Sequence, residues 1–358
     1  MNSFGENLSR YSLFSSSKEW IRQLLLDIQQ AKRYIYIETF RFVDDEVGQG
    51  VAEKLIQKAQ EGVEVKMVVD SWGTRKTALF TKMEAAGISV RFFKKIVISL
   101  LLFTKNHERN HRKIVVIDDE ISYIGSANFS KYSFRWRESI LRIYGEIGTI
   151  FKDIFLDSFK NYKKKLKSRE YYKTINYKEF KIIREAPSIR HQQTRKYFNS
   201  LIKNAQKSIT IITPYFLPGK TIRSNLVKVA KKGVRTQVII PQKSDVVVVD
   251  YMRNFLLGSL HKNGVKIYFF QPGNIHAKLI LVDNKLFSIG SSNFDYRSFR
   301  YMYEINLSGE NSEIVALVAD YIDETLEQCA KFDLETWGKR SFWEILVAVI
   351  LIPFRKLL

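Results

Sequence analysis

The sequence predicts an α/β protein built twice: two α/β/α units with mostly parallel sheets, related by a pseudo-twofold axis, with an active site at their interface. Three observations carry that expectation. First, the stretch HRKIVVIDDEISYIGSAN at 111–128 returns at 276–293 as HAKLILVDNKLFSIGSSN. Both obey one template, His-x-Lys, an Asp seven places after the His, then Gly-Ser-x-Asn, and two unrelated strands would not agree at so many polar and apolar positions. Second, helical and strand periodicities alternate along the chain, the pattern of a sheet covered by helices. Third, the punctuation of the first half recurs in the same order in the second.

In chain order, Ser16 and Glu19 form a capping box ahead of Trp20, Ile21, Leu24, Leu25 and Ile28 at helical spacing. Tyr34–Phe40 reads as a strand, Val51–Gln60 as a helix closed by Gly62, and Val63–Val69 as a buried strand. Ala31-Lys32-Arg33 before Ile35-Tyr36-Ile37 is answered by Ala205-Gln206-Lys207 before Ile209-Thr210-Ile211. Likewise Gly62 is answered by Gly233, and Gly87 by Gly264. Within the motif, strand alternation puts His111 and Lys113 on one face. Asp118-Asp119-Glu120 and Asp283-Asn284-Lys285 supply turns, and Ile121–Gly125 and Leu286–Gly290 return as hairpin partners. Asp118 and Asp283 are therefore read as structural, while Gly-Ser-x-Asn comes back beside His and Lys.

A chain of 358 residues, 45% hydrophobic, accommodates about two domains. The expected division is 1–160 for the first unit, 161–195 for a basic connector, 196–335 for the second unit and 336–358 for an apolar and basic C-terminal segment. The connector is marked by charge: residues 160–196 hold thirteen Lys or Arg against three Glu, as a solvated linker or a footing on an anionic surface. One cysteine, Cys329, excludes an internal disulfide framework, and five scattered His give no zinc pattern, so no metal and no cofactor is expected. A net charge of +21 calls for an anionic partner, an acidic lipid surface or nucleic acid. The start of the chain does not read as a signal peptide, and no run approaches the roughly 20 apolar residues of a span. Two shorter runs with basic flanks, 96–103 and 345–352, fit either interfacial anchors or buried core helices.

The doubled template resembles the signature of the phospholipase D superfamily. That resemblance implies phosphodiester chemistry, which requires charge stabilisation, a nucleophile and a proton for the leaving oxygen. Lys113 and Lys278 can supply the first, with Ser126, Asn128, Ser291 and Asn293 as phosphate-binding donors. The imidazoles of His111 and His276, coupled around an ordinary pKa of ~6.5, can supply the other two. By resemblance His111 attacks phosphorus to give a phosphohistidine and His276 protonates the departing alcohol. The family also uses a downstream Glu to hold the second nitrogen of each His. Glu138 and Glu304, ten and eleven residues after Asn128 and Asn293, stand in corresponding segments; their alternative is surface pairing with Arg137 or Arg300.

Asn110-His111-Arg112-Lys113, Ile211–Pro218 and Asn293–Phe299 look like bacterial cardiolipin synthases of the phospholipase D type, a likeness that covers most of 18–310. It implies that one phosphatidylglycerol gives up glycerol to form phosphatidyl-histidine and a second attacks to yield cardiolipin. The partners would be anionic phospholipid and a membrane surface, the cytoplasmic face of the cell membrane, with peripheral or monotopic attachment. The alternative is a hydrolase or nuclease that passes the intermediate to water, with nucleic acid as substrate. The sequence departs from these synthases in carrying Gly125-Ser126 in place of Gly-Gly, Met302 in place of an Asn, and no pair of N-terminal spans.

Overall fold

The computed structural model describes residues 9–93, 108–163 and 174–353. The first half supplies strands β1 (Tyr11–Ser16), β2 (Tyr34–Thr39), β3 (Glu64–Asp70), β4 (Ser89–Phe93), β5 (Arg109–Asn110), β6 (Ile114–Ile117), β7 (Ile121–Gly125) and β8 (Arg137–Tyr144). The second supplies β9 (Ile175–Tyr177), β10 (Phe180–Glu185), β11 (Ser208–Ile212), β12 (Arg235–Pro241), β13 (Lys266–Phe270), β14 (Leu279–Val282), β15 (Leu286–Gly290), β16 (Met302–Gly309) and β17 (Cys329–Lys331). They form two sheets, ordered β1-β8-β7-β6-β2-β3-β4 and β17-β13-β12-β11-β14-β15-β16-β10-β9, and β5 crosses over to pair with β16.

The duplicated α/β architecture is as the repeat predicts, but the sheets are mixed, not mostly parallel. The strands β2-β3-β4 and β11-β12-β13 run parallel, joined through helical crossovers, as does the short pairing of β5 with β16. The motif strands are antiparallel to their neighbours. The cause is local. Asp118 and Asp119 have φ of 55° and 65°, and Asp283 and Asn284 have 54° and 51°. Two successive positive φ values make the tight hairpin turn that sends the chain straight back, whereas a parallel neighbour needs a long crossover.

Both faces of the motif strands are buried, with opposite partners. Ile114 and Val116 join a central core, while Val115 and Ile117 join the outer core of the first half. Leu279 and Leu281 reach the same central core, and Ile280 and Val282 an outer core of the second half. The central core holds two helices, Ile147–Asn161 through Phe151, Phe155 and Phe159, and Ser312–Glu327 through Ile314, Val318 and Ile322. Helices Ser17–Gln30 and Glu46–Gln60 cover the far side of one sheet, and Gln193–Asn204 and Lys220–Lys231 the far side of the other. The halves thus share one apolar interior.

Two segments differ from their sequence reading. Part of the basic stretch read as a connector is sheet: β10 pairs in register along β16 from Phe180 opposite Gly309 to Glu185 opposite Glu304, with Ile182 and Ile183 buried. Net charge records the exposed Lys and Arg of such a strand and misses its alternate apolar residues. The run 345–352 falls largely within a helix, Phe342–Leu351, of which only Ala348 is fully buried. Phe342 and Trp343 are each 70% exposed, so it is no core helix. The other run, 96–103, lies outside the described residues.

Candidate active site

Each motif begins just before its strand, where the chain leaves its own sheet to hydrogen-bond with the other half. The backbone N–H of His111 donates to the Tyr303 carbonyl at 2.9 Å, and that of His276 to the Arg137 carbonyl at 2.8 Å. This crossed pairing decides which carboxylate meets which imidazole. His111 Nδ1 lies 3.0 Å from both carboxylate oxygens of Glu304, and His276 Nδ1 lies 2.9 and 3.1 Å from those of Glu138. Each histidine is therefore oriented by the glutamate of the opposite half. Both glutamates are fully buried, so neither makes the surface pair with Arg137 or Arg300. An ionised carboxylate at that depth without such partners would cost several kcal/mol.

The serines of Gly-Ser-x-Asn do not face a phosphate. Ser126 donates its hydroxyl to Glu138 at 2.5 Å and accepts the Ser139 N–H, and Ser291 does the same with Glu304 and the Ile305 N–H. All four bonds are buried, so the expected phosphate contact from Ser126 and Ser291 is corrected to a support beneath each glutamate. The preceding Gly125 and Gly290 make this approach possible, because a methyl at either would run into the carbonyl oxygen of Ser139 or Ile305. Asn128 and Asn293 do line the cleft, and the Oδ1 of each is buried without a partner among the described residues. Unsatisfied buried amide oxygens of this kind await a donor or a flip of the amide.

Lys113 and Lys278 lie beneath the cleft, almost fully buried, their ammonium groups donating to the His111 and His276 carbonyls at 2.9 and 2.7 Å. Burial pushes Lys113 down to about 7 and Lys278 down to about 8, with Glu304 and Glu138 respectively opposing the shift. An anionic phosphodiester beside them would favour their charged form. Asp118 and Asp283 are far from this chemistry. Asp118 accepts the backbone N–H groups of Lys32, Arg33 and Tyr34, and Asp283 those of Gln206, Lys207 and Ser208. Each pins the start of the neighbouring parallel strand to the hairpin turn.

Both imidazoles open on one cleft of about 260 Å³. Phe40 stands edge-on to His111 at 5.3 Å between centroids, and Trp136 lies 5.1 Å from His276. Arg41, Trp72, Tyr132, Tyr215, Asp245 and Arg297 complete the walls, and none of them was singled out as a site residue from sequence. Tyr215 and Arg297 stood in segments noted only for family likeness. Comparing the two copies position by position would have found Arg41, Tyr132, Tyr215 and Arg297. Among the described residues no group of His, Cys, Asp and Glu could hold a metal ion.

A duplicated α/β fold in which each half delivers a His to a shared cleft, with a buried Lys hydrogen-bonded to the backbone of that His, defines an enzyme of the phospholipase D class. The chain belongs to the cardiolipin synthase, PLD-like domain family, whose model matches residues 24–163 and 198–326. It is 32% identical over 346 residues to the cardiolipin synthase of Listeria welshimeri, covering 92% of this chain and 72% of that protein. It is 30% identical over 347 residues to the probable cardiolipin synthase YwiE of Bacillus subtilis, covering 93% and 69%. The crystal structure of phosphatidylserine synthase from Haemophilus influenzae Rd KW20 superposes with a TM-score of 0.76 at 15% identity, over 98% of this chain and 96% of that one, a likeness of fold.

Proposed function

We propose that this protein is a phosphatidyltransferase that works through a phosphohistidine, and that its reaction is the synthesis of cardiolipin from two phosphatidylglycerol molecules. The observation that carries the reading is the meeting of His111 and His276, 165 residues apart in sequence, over one cleft with a buried lysine beneath each. The neutral imidazole forms a bond to phosphorus as the phosphorus–oxygen bond to glycerol breaks, and the imidazolium gives its proton to that oxygen. The hydroxyl of a second phosphatidylglycerol then loses its proton to the same, now neutral, imidazole and attacks phosphorus, freeing the first histidine. Lys113, Lys278, Asn128 and Asn293 would stabilise the equatorial oxygens throughout.

The two histidines differ in a way that supports His111 as nucleophile and His276 as acid. Burial and then the charges of Lys113, Lys278, His276 and Arg297 hold His111 well below the usual imidazole range, keeping it a free base. Burial lowers His276 too, but Glu138 opposes it. Burial alone would raise Glu138, yet His276, its hydrogen bond and Lys278 hold that carboxyl below its usual range, so an ionised carboxylate stands beside His276. Glu304 is instead pushed up to about 7 by burial, with Lys113 opposing.

The lipid reading also draws on the helix Phe342–Leu351. Its exposed Phe342, Trp343, Val349 and Ile350, next to Lys339 and Arg340, fit an interfacial helix on an acidic leaflet, and its Leu351 packs near Val249 of the cleft wall. Among the described residues no helix is long and apolar enough to cross a membrane, so attachment at the cytoplasmic face would be peripheral or monotopic. The test is product chromatography after incubation with phosphatidylglycerol vesicles and, separately, with plasmid DNA, each with and without EDTA. Cardiolipin and free glycerol from the vesicles, indifferent to EDTA, are expected. Phosphatidic acid alone would make the protein a hydrolase, and nicked DNA without lipid products a nuclease.

A further inference from the structure

Duplication built the two sides of the cleft on one plan, but they have diverged. Phe42 bridges Phe129 and Phe216 bridges Phe294, which sets the copies in register. Arg41 of the first half therefore corresponds to Tyr215 of the second, and Tyr132, three places after Phe129, to Arg297, three places after Phe294. Arginine and tyrosine have exchanged places. Because the halves interlock crosswise, the exchange gathers charge on one side. Arg41 follows Phe40, the ring against His111, and the Arg297 charge also acts on His111. Trp136 instead packs beside His276, where the opposite half places Met302.

The His276 side also carries a carboxylate, Asp245. Its Oδ1 accepts the Tyr215 hydroxyl at 2.8 Å and the amide of Asn274, two residues before His276, at 3.4 Å. Its Oδ2 makes no hydrogen bond among the described residues, and the buried Oδ1 of Asn274 has no partner there either. One side of the cleft thus carries Arg41 and Arg297, and the other offers aromatic faces, uncommitted acceptors and the Asp245 carboxylate, with Asp295 as a second carboxylate in the lining.

In an in-line displacement the departing oxygen lies opposite the attacking nitrogen. With His111 as nucleophile, as proposed above, the leaving and incoming alcohols both occupy the His276 side. A held carboxylate accepts hydrogen bonds from hydroxyl groups, and an aromatic face covers the C–H surface between them. We propose that Asp245, positioned by Tyr215 and Asn274, forms a head-group subsite for a polyol, accepting the hydroxyls of a glycerol-like alcohol beside His276. The subsite makes the enzyme selective for polyol over simple alcohols.

The test uses the full chain and two independent readouts. Calorimetry compares glycerol 3-phosphate with n-propyl phosphate, which requires no turnover. A competition assay compares glycerol with 1-propanol as acceptors of the phosphatidyl group from phosphatidylglycerol. Wild type is expected to prefer the glycerol form by about tenfold in both, the worth of one charge-assisted hydrogen bond. Asp245→Ala should remove the preference, and Tyr215→Phe and Asp245→Asn should each reduce it. Equal binding of the two phosphates by wild type, or an unchanged preference in Asp245→Ala, overturns the subsite. Ethanolamine outcompeting glycerol in wild type but not in Asp245→Asn overturns the polyol assignment in favour of an ammonium head group. A preference in calorimetry without transfer to any alcohol supports the subsite and overturns the reaction proposed above.

Discussion

The two His–Glu pairs have nearly the same geometry and different electrostatics. His111 with Glu304 and His276 with Glu138 are matched in distance, in burial and in the serine beneath each carboxylate. Yet burial pushes Glu304 up to about 7, while His276 and Lys278 hold Glu138 below its usual range against the same burial, so the two carboxylates differ in how firmly they stay ionised. The surroundings of the histidines and lysines differ as well. Arg297, with the lysines, crowds His111 with positive charge, while Asp245 and Asp295 act on Lys278. Hydrogen-bond geometry is common to the two halves, and the electrostatics around it is not.

The largest expected effect tests whether both members are required at all. His111→Ala and His276→Ala should each lose about 10³-fold or more in turnover, the scale of removing a nucleophile or general acid. Residual activity within tenfold of wild type in either would overturn the two-histidine mechanism. A smaller effect separates the pairs. Glu138→Gln removes the charge that opposes the lowering of His276 by burial and should cost about 10²-fold. Its kcat/KM profile against pH should lose its alkaline limb at lower pH, because His276 then releases its proton sooner. Glu304→Gln replaces a carboxyl that burial has already pushed up to about 7, and should cost about tenfold or less with the alkaline limb unmoved. Equal losses and equal pH shifts in the two variants would show the pairs to be equivalent.

The smallest effect concerns stability. A carboxyl raised from 4.5 to about 7 binds its proton more tightly in the folded state, so its contribution is present below pH 4.5 and is lost as pH rises through 7. Glu304→Gln should therefore melt higher than wild type at pH 8, by about 2–4 °C for each kcal/mol regained, and this gain should vanish at pH 4.5. Glu138→Gln should show no such gain. Thermal melts at the two pH values decide between them.

Much of the fold could be read because the motif repeats. The hairpins followed from Asp118-Asp119 and Asp283-Asn284, and the helical crossovers from apolar spacing. The sheet direction was misjudged because alternation of helix and strand describes β2 to β4 and β11 to β13 and says nothing of the antiparallel strands around the motif. β10 was hidden by Lys181 and Arg184 and by the basic residues that flank it. The roles of Ser126 and Ser291 were misread because a small polar residue after glycine suits a phosphate as well as it suits a buried carboxylate, and only their depth distinguishes the two.

By itself the sequence determined that two copies exist, that each brings a histidine, a lysine and a glutamate, and that the aspartates sit at turns. These are local matters, governed by strand alternation and by which residues tolerate positive φ. Tertiary structure decided which glutamate serves which histidine and which side of the cleft carries Arg41 and Arg297. Those outcomes depend on the chain beside each histidine pairing with the strand of the opposite half, through backbone groups that every sequence possesses and none advertises.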